Sequence, residues 1–174
     1  FSPLLAIALI ATMLIAVNLR RRVVVLREEA RHDPLTGLPN RRGLAAAWDA
    51  MPGEKALLLI DLVGFKAVND AHGHVVGDRL LQQVSGRLVA AVSPHGALAR
   101  WGGDEFAAIV RADRLEKQRE LIAAAQTMPY LLPGPDGVDM HVRIGARFGE
   151  GHGKPTLDAA IAMADAGLMA AKGG

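Results

Sequence analysis

An α/β or α+β sandwich is the fold class that this sequence predicts, and three observations predict it. Ala56–Leu62 is a continuous apolar run of strand length, with Asp61 near its end. Ala97–Trp101 and Glu105–Val110 read as two short strands around Gly102-Gly103-Asp104, a turn in which glycines are expected to supply the positive φ of a tight hairpin. Val75–Val92 has helical spacing, with Val76, Leu80, Leu81, Val84 and Leu88 apolar on one face. Strands interleaved with helices pack as layers around one core. The 174 residues suffice for one domain and a small appendage. Cysteine is absent, which excludes a disulfide framework and a thiolate zinc site.

Taken in order, residues 1–19 hold no charged side chain and are followed at once by Arg20-Arg21-Arg22. At 1.5 Å per residue, nineteen residues reach about 28 Å, close to a bilayer's hydrocarbon core. A single transmembrane helix over 1–19 is expected, in contact with lipid and with residue 20 onward on the cytoplasmic side. Residues 20–31 should continue it as a helical stalk. Asp33-Pro-Leu-Thr-Gly-Leu-Pro is a loop rich in turn residues. Asn40 reads as an N-cap for a helix through about Met51, ended by Pro52-Gly53. After the strand at 56–62 come a turn and a short helix around Phe65–Asp70, the longer helix at 75–92 and the hairpin. Asp113–Thr127 is expected as a helix and Val138–Phe148 as a strand. Thr156 caps a last, Ala-rich helix to about Lys172, with Met163 and Met169 as core filler. Residues 32–174 are expected to form the globular domain.

Charge is unevenly placed. Residues 1–31 hold five Arg and two Glu, a net +3, which leaves 15 Lys/Arg against 16 Asp/Glu, a net −1, on the remainder. The globular part has no broad basic surface, so no nucleic-acid partner is expected.

Two carboxylates stand out chemically. Asp61 ends a buried strand and Asp104 sits in a Gly-flanked turn, positions that suit oxygen ligands of a hard cation such as Mg²⁺. Two such ions can stabilise the attacking and leaving oxygens of a phosphoryl displacement. Gly64 lets the backbone approach a phosphate chain closely, and Lys66 can neutralise charge there. Each residue alone is commonplace as a cap or a turn.

Gly102-Gly103-Asp104-Glu105-Phe106 spells the signature of the GGDEF family of diguanylate cyclases, and the chain resembles that family from about residue 30 to its end. The matching segments are Asp33-Pro-Leu-Thr-Gly-Leu-Pro-Asn-Arg-Arg, Asp61-Leu-Val-Gly-Phe-Lys-Ala-Val-Asn-Asp, His72-Gly-His-Val-Val-Gly-Asp and Ala164-Asp-Ala-Gly-Leu-Met-Ala-Ala-Lys. The resemblance implies a five-stranded, mostly antiparallel sheet wrapped by helices, similar to adenylyl cyclase catalytic and polymerase palm domains. It implies condensation of two GTP into cyclic di-GMP with release of two pyrophosphates, at a homodimer interface, with Mg²⁺ (or Mn²⁺) as cofactor. In a bacterial cell, the expected span would anchor the chain in the inner membrane.

By the same resemblance, Asp61, the Leu62 carbonyl and Asp104 would hold metal. Asp104 would also take the proton of the attacking hydroxyl, and Lys66 would stabilise the transition state. Gly64 and Phe65 would cradle phosphate through their backbone. Asn69, Asp78 and His74 would meet the guanine, and Glu105 and Lys172 would complete substrate binding. The alternative is a GGDEF domain without catalysis that senses GTP or dimerises.

Several positions depart from the family pattern. Val63 stands where many members have a second Asp, Arg143 where Ser is common, and Met169 where Tyr is usual. The chain stops at Gly174, before the family's Gly-Arg-Asn ending, so its C-terminal end is expected to be truncated. Ser93 and Gly96 replace the Arg and Asp of the family's product-inhibition motif, so no feedback through that motif is expected.

Overall fold

A computed structural model of the protein describes residues 3–29, 31–93, 95–134, 139–142, 145–151 and 156–172. Helix α1 (Pro3–Glu29) is followed by the loop 31–40 and helix α2 (Arg41–Ala50). Asn40 caps α2, its side chain accepting from the amides of Arg42 and Gly43. Strand β1 (Lys55–Val63), helices α3 (Phe65–His72) and α4 (His74–Val92), and strands β2 (Gly96–Arg100) and β3 (Glu105–Arg111) come next. A 3-10 turn (Ala112–Arg114) leads into α5 (Leu115–Thr127), β4 (Tyr130–Pro133), β5 (Asp139–Val142), β6 (Gly145–Gly151) and α6 (Leu157–Lys172).

The main sheet has the order β2-β3-β1-β6, and each neighbouring pair is antiparallel. Strand β1 is central, which explains its unbroken apolar run: both of its faces are covered. Successive residues of a strand point to opposite faces. Ala56, Leu58, Ile60 and Leu62 therefore join a core with α3, α4, α5 and β4. Leu57 and Leu59 join a second core with α2 and α6. Asp61 continues the Leu57 and Leu59 series and lies on the α6 side.

Helix α6 rests directly on the β6 backbone. A Cβ on Gly149 would stand 1.9 Å from the Ala164 carbonyl oxygen, and one on Gly151 would stand 1.9 Å from that of Ala160. Ala160, Ala164 and Leu168 form the buried stripe of α6, and Lys172 is the next member of that four-residue series.

Five expectations need correction. Among the described residues the main sheet has four strands rather than five. The strand expected over Val138–Phe148 divides: β5 pairs with β4, which the sequence reading left out, as a separate two-stranded sheet, and β6 pairs with β1. Gly102 and Gly103 do not have positive φ. At Gly102 the constraint is room, since a Cβ there would stand 3.0 Å from Glu105 Oε2. Met163 and Met169 are exposed, because they lie off the stripe that meets the sheet.

The fifth correction concerns the span over 1–19. Among the described residues no helix is long and apolar enough to cross a membrane. Helix α1 runs unbroken through Arg20, Arg21 and Arg22. The expected lipid contact has no support.

Candidate functional site

The end of β1 gathers the acidic residues. Register places Glu105 of β3 and Arg147 of β6 directly opposite Asp61 on either side, and directly opposed residues share a face of the sheet. The turn closes onto β1, the Leu62 amide donating to the Asp104 carbonyl at 3.1 Å. Asp61 on β1 and Asp104 in the turn that leads into β3 thus sit at one end of the sheet.

Lys172 reaches this end from the last turn of α6. Its Nζ lies 2.8 Å from Asp61 Oδ1 and 3.7 Å from Glu105 Oε1. Arg147 is more distant, 3.9 Å from Asp61 Oδ2. The hydrogen bond to Asp61 raises the Lys172 pKa, opposed by its burial and helped by the charges of Asp61, Glu105 and Asp104. The carboxylates therefore converge on a cation, and an ammonium fills that place. Among the described residues no cluster of three or more His, Asp or Glu side chains forms a closed metal cage. Mg²⁺ needs none: it takes one or two carboxylates and completes its shell with water and substrate phosphates. The donor set fits such an ion.

Helix α3 begins beside this acidic end. Its N-cap, Gly64, has φ 92°, ψ −5°, a left-handed conformation that favours glycine, and it offers no side chain to the first-turn amides. Uncapped amides at a helix N-terminus attract anions. Phe65 anchors the turn in the core at 8% exposure, while Lys66 is exposed with no hydrogen bond or ion pair among the described residues. Four residues on from Phe65, Asn69 holds a buried Oδ1 that accepts no hydrogen bond. His74 and Asp78 are exposed on the first turns of α4, beyond Gly73. Val63 ends β1 opposite Gly145, whose Cβ position lies 3.4 Å from the Val63 Cβ. Arg143, Gly173 and Gly174 lie outside the described residues.

The sequence reading missed the residues that hold the Gly102-Gly103 turn. Arg100 donates from Nε to the Gly102 carbonyl at 3.1 Å and from NH2 to the Gly103 carbonyl at 2.8 Å. Its NH1 meets both oxygens of Asp33, at 3.0 and 3.1 Å. Arg41 Nε donates to the Trp101 carbonyl at 2.8 Å, its guanidinium stacked 4.4 Å from the indole centroid. Asp33 also accepts from the Thr36 amide and hydroxyl. Burial alone would push the Asp33 carboxyl up, but the Thr36 and Arg100 hydrogen bonds outweigh it and hold the pKa below the usual value. Two guanidiniums thus tie three successive turn carbonyls to Asp33 and to the start of α2. An arginine on a strand or at a helix start has no local signature; only strand register and loop closure bring it to the turn.

Comparison with known proteins bears on this arrangement. Residues 30–174 match the family described as "Diguanylate cyclase, GGDEF domain". The chain is 38% identical over 146 residues to the bifunctional diguanylate cyclase/cyclic di-GMP phosphodiesterase MucR of Pseudomonas aeruginosa, covering 79% of this chain and 21% of the relative. It is 31% identical to the diguanylate cyclase DgcP of the same organism, covering 84% of this chain and 23% of that protein. The chain thus spans about a fifth of the length of these relatives. The coiled coil and GGDEF domain of DgcB from Caulobacter crescentus, solved with c-di-GMP, superposes with a TM-score of 0.76 at 26% identity, covering 97% of this chain and 94% of that one. A sensory box/GGDEF family protein of Caulobacter crescentus gives 0.68 at 35% identity, over 82% and 98%.

Proposed function

This chain belongs to the GGDEF family, and from that premise we propose that it is a diguanylate cyclase that condenses two GTP into cyclic di-GMP. The observation that carries the reading is the convergence of Asp61, Glu105 and the Asp104 turn on the Lys172 ammonium, beside the uncapped start of α3. A cation seat and an anion seat next to each other are what a nucleoside triphosphate with its metal requires.

In this reading Asp61, the Leu62 carbonyl and Asp104 hold Mg²⁺ (or Mn²⁺), which when bound supplies positive charge to the reacting phosphate. The α3 amides after Gly64 and Phe65 bind phosphate oxygens. Lys172 leaves the carboxylates and pairs with the terminal phosphates, and Lys66, unpaired among the described residues and close by in sequence, stabilises charge that develops in the transition state. Asn69 and Asp78 accept hydrogen bonds from the guanine edge, with His74 nearby, and Glu105 helps orient the substrate end of the turn. The 3′-hydroxyl of one GTP attacks the α-phosphorus of the other; Asp104 accepts the hydroxyl proton and pyrophosphate departs. The same step in the other direction closes the ring. Each domain brings one GTP, so the working unit is a homodimer. The substrate belongs to the cytoplasmic nucleotide pool, where the proposal places the domain.

The Val63 position, apolar where many family members carry a second carboxylate, favours a second reading: a domain that binds GTP without turning it over. Incubation with Mg²⁺ and GTP, followed by chromatography for cyclic di-GMP and pyrophosphate, separates the two. The cyclase reading expects both products from the wild type and at least a hundredfold loss in Asp104→Ala, the order of effect seen when a principal charge-stabilising group is removed. GTP binding without product leaves the sensor reading. Absence of binding ends both.

A further inference from the structure

Two cations reach the acidic end of β1, and only one of them is hydrogen-bonded there. Arg147 stands on β6 directly opposite Asp61, so the two side chains share the sheet face that carries α6. The oxygens of Asp61 are divided between the cations: Lys172 Nζ lies 2.8 Å from Oδ1, and Arg147 NH1 lies 3.9 Å from Oδ2. The first distance is that of a hydrogen bond and the second is too long to be one. The Arg147 side chain is 41% exposed, and an exposed ion pair of that length contributes little to stability. Among the described residues Arg147 makes no hydrogen bond. Other arginines of the domain spend their donors on the fold. Arg87 donates to the carbonyls of Met128 and Pro129, and Arg119 donates to Glu116 and Glu150. Strand register brings Arg147 to the carboxylates and leaves its guanidinium available to a ligand.

We infer that Arg147 is a second phosphate-binding residue of the site, which pairs with the β- and γ-phosphates of GTP, the part that leaves as pyrophosphate. The inference rests on the GTP reading of the site. A divalent cation held by Asp61 takes the oxygens that Lys172 and Arg147 face, and it repels both cations from them. The triphosphate brings the negative charge that receives them. A guanidinium presents parallel N–H groups that match two oxygens of a phosphate, and it stays charged at any working pH. Lys172 is a point charge at the end of α6, and Arg147 adds a directional clamp from β6. The α-phosphate is the group attacked and stays with the product. A clamp on the phosphates beyond it holds the leaving group in place for the displacement. Position 147 therefore bears on the triphosphate and not on the base.

Equilibrium binding to the full chain in Mg²⁺ tests this, with thermal melts in parallel. The probes are the α,β-methylene analogue of GTP, which cannot release pyrophosphate, and GMP, which has no β- or γ-phosphate. The variants are Arg147→Gln and Arg147→Met, both neutral, and Arg147→Lys. The wild type is expected to bind the triphosphate analogue more tightly than GMP. Each neutral variant is expected to bind the analogue about tenfold more weakly, the order of one charge-assisted hydrogen bond, with GMP affinity unchanged. Arg147→Lys is expected to recover part of the loss, since it restores the charge without the fork. Either neutral variant that folds carries the test; if neither folds, Arg147 belongs to the fold and the inference is overturned. A folded neutral variant that binds the analogue as tightly as the wild type overturns the inference and leaves the GTP reading standing. An equal loss for the analogue and GMP does the same, because Arg147 would then support the shape of the site. So does a wild type that binds the analogue no more tightly than GMP. A wild type that binds neither probe ends the GTP reading, and this inference with it.

Discussion

At the scale of single residues, Lys172 is the group whose place depends most on what else occupies the site. Its ammonium lies 2.8 Å from Asp61 Oδ1, where the proposal puts a metal ion, so lysine and metal compete for one carboxylate. Lys172→Met is expected to tighten Mn²⁺ binding in the absence of nucleotide, severalfold by isothermal titration, and to weaken GTP binding about tenfold, because the same cation serves the phosphates. A change of the same sign in both affinities would contradict the exchange.

Asp33 carries a pH dependence with a definite sign. Its folded pKa is lowered, by Thr36 and Arg100 against burial. Its stabilisation is therefore fully present above the unfolded value, about 3.9, and is lost as pH falls through the lower folded value. Melting temperatures of Asp33→Asn are expected to lie below the wild type at pH 6, with the gap narrowing below about pH 4.

At the scale of elements, the contact between α6 and β6 is the most demanding. Gly151→Ala puts a Cβ against the backbone carbonyl of Ala160, and backbone cannot swing aside as a flexible side chain can. A loss of about 1–3 kcal/mol or more in chemical denaturation is expected, with activity falling too, because α6 delivers Lys172 to Asp61. Strand β1 tests packing without strain. Leu58 is fully buried, and Leu58→Ala should cost about 2–5 kcal/mol with little effect on base preference. The turn before β2 bears on regulation. A Cβ on Gly96 would stand 2.5 Å from the Ile109 carbonyl oxygen, so an Asp at this position does not fit the present backbone. Cyclase assays at micromolar product are expected to show no inhibition through Ser93 and Gly96.

At the scale of the whole molecule, the described large apolar residues of α1, among them Leu9, Met13 and Leu19, are exposed, and among the described residues α1 has no extensive packing against another element. Just beyond α1 the Asn40 amide donates to the Arg31 carbonyl at 2.7 Å, and Asp33 joins Arg100 and the Gly102-Gly103 turn two residues later. Movement at the head of the domain thus has a short route to the Gly102-Gly103 carbonyls. If each protomer brings one GTP, the specific activity of residues 31–174 alone should rise with protein concentration, while their melting temperature stays within a few degrees of the full chain.

Much of this was legible in the chain itself, because it depends on neighbours in sequence. The apolar run of β1, the Asn40 and Thr156 caps, the helical period of α4 and the positions of Asp61 and Asp104 at a strand end and a turn are local patterns, each set by the backbone geometry of its own segment. The tertiary structure decided what depends on distant pairing. It placed Lys172 on Asp61, Arg147 opposite it, and Arg100 between Asp33 and the turn. It also separated β4 and β5 from the main sheet. Such contacts arise from register and from the closure of long loops, whose outcome is set by the packing of the whole core and leaves no periodic trace in any one segment.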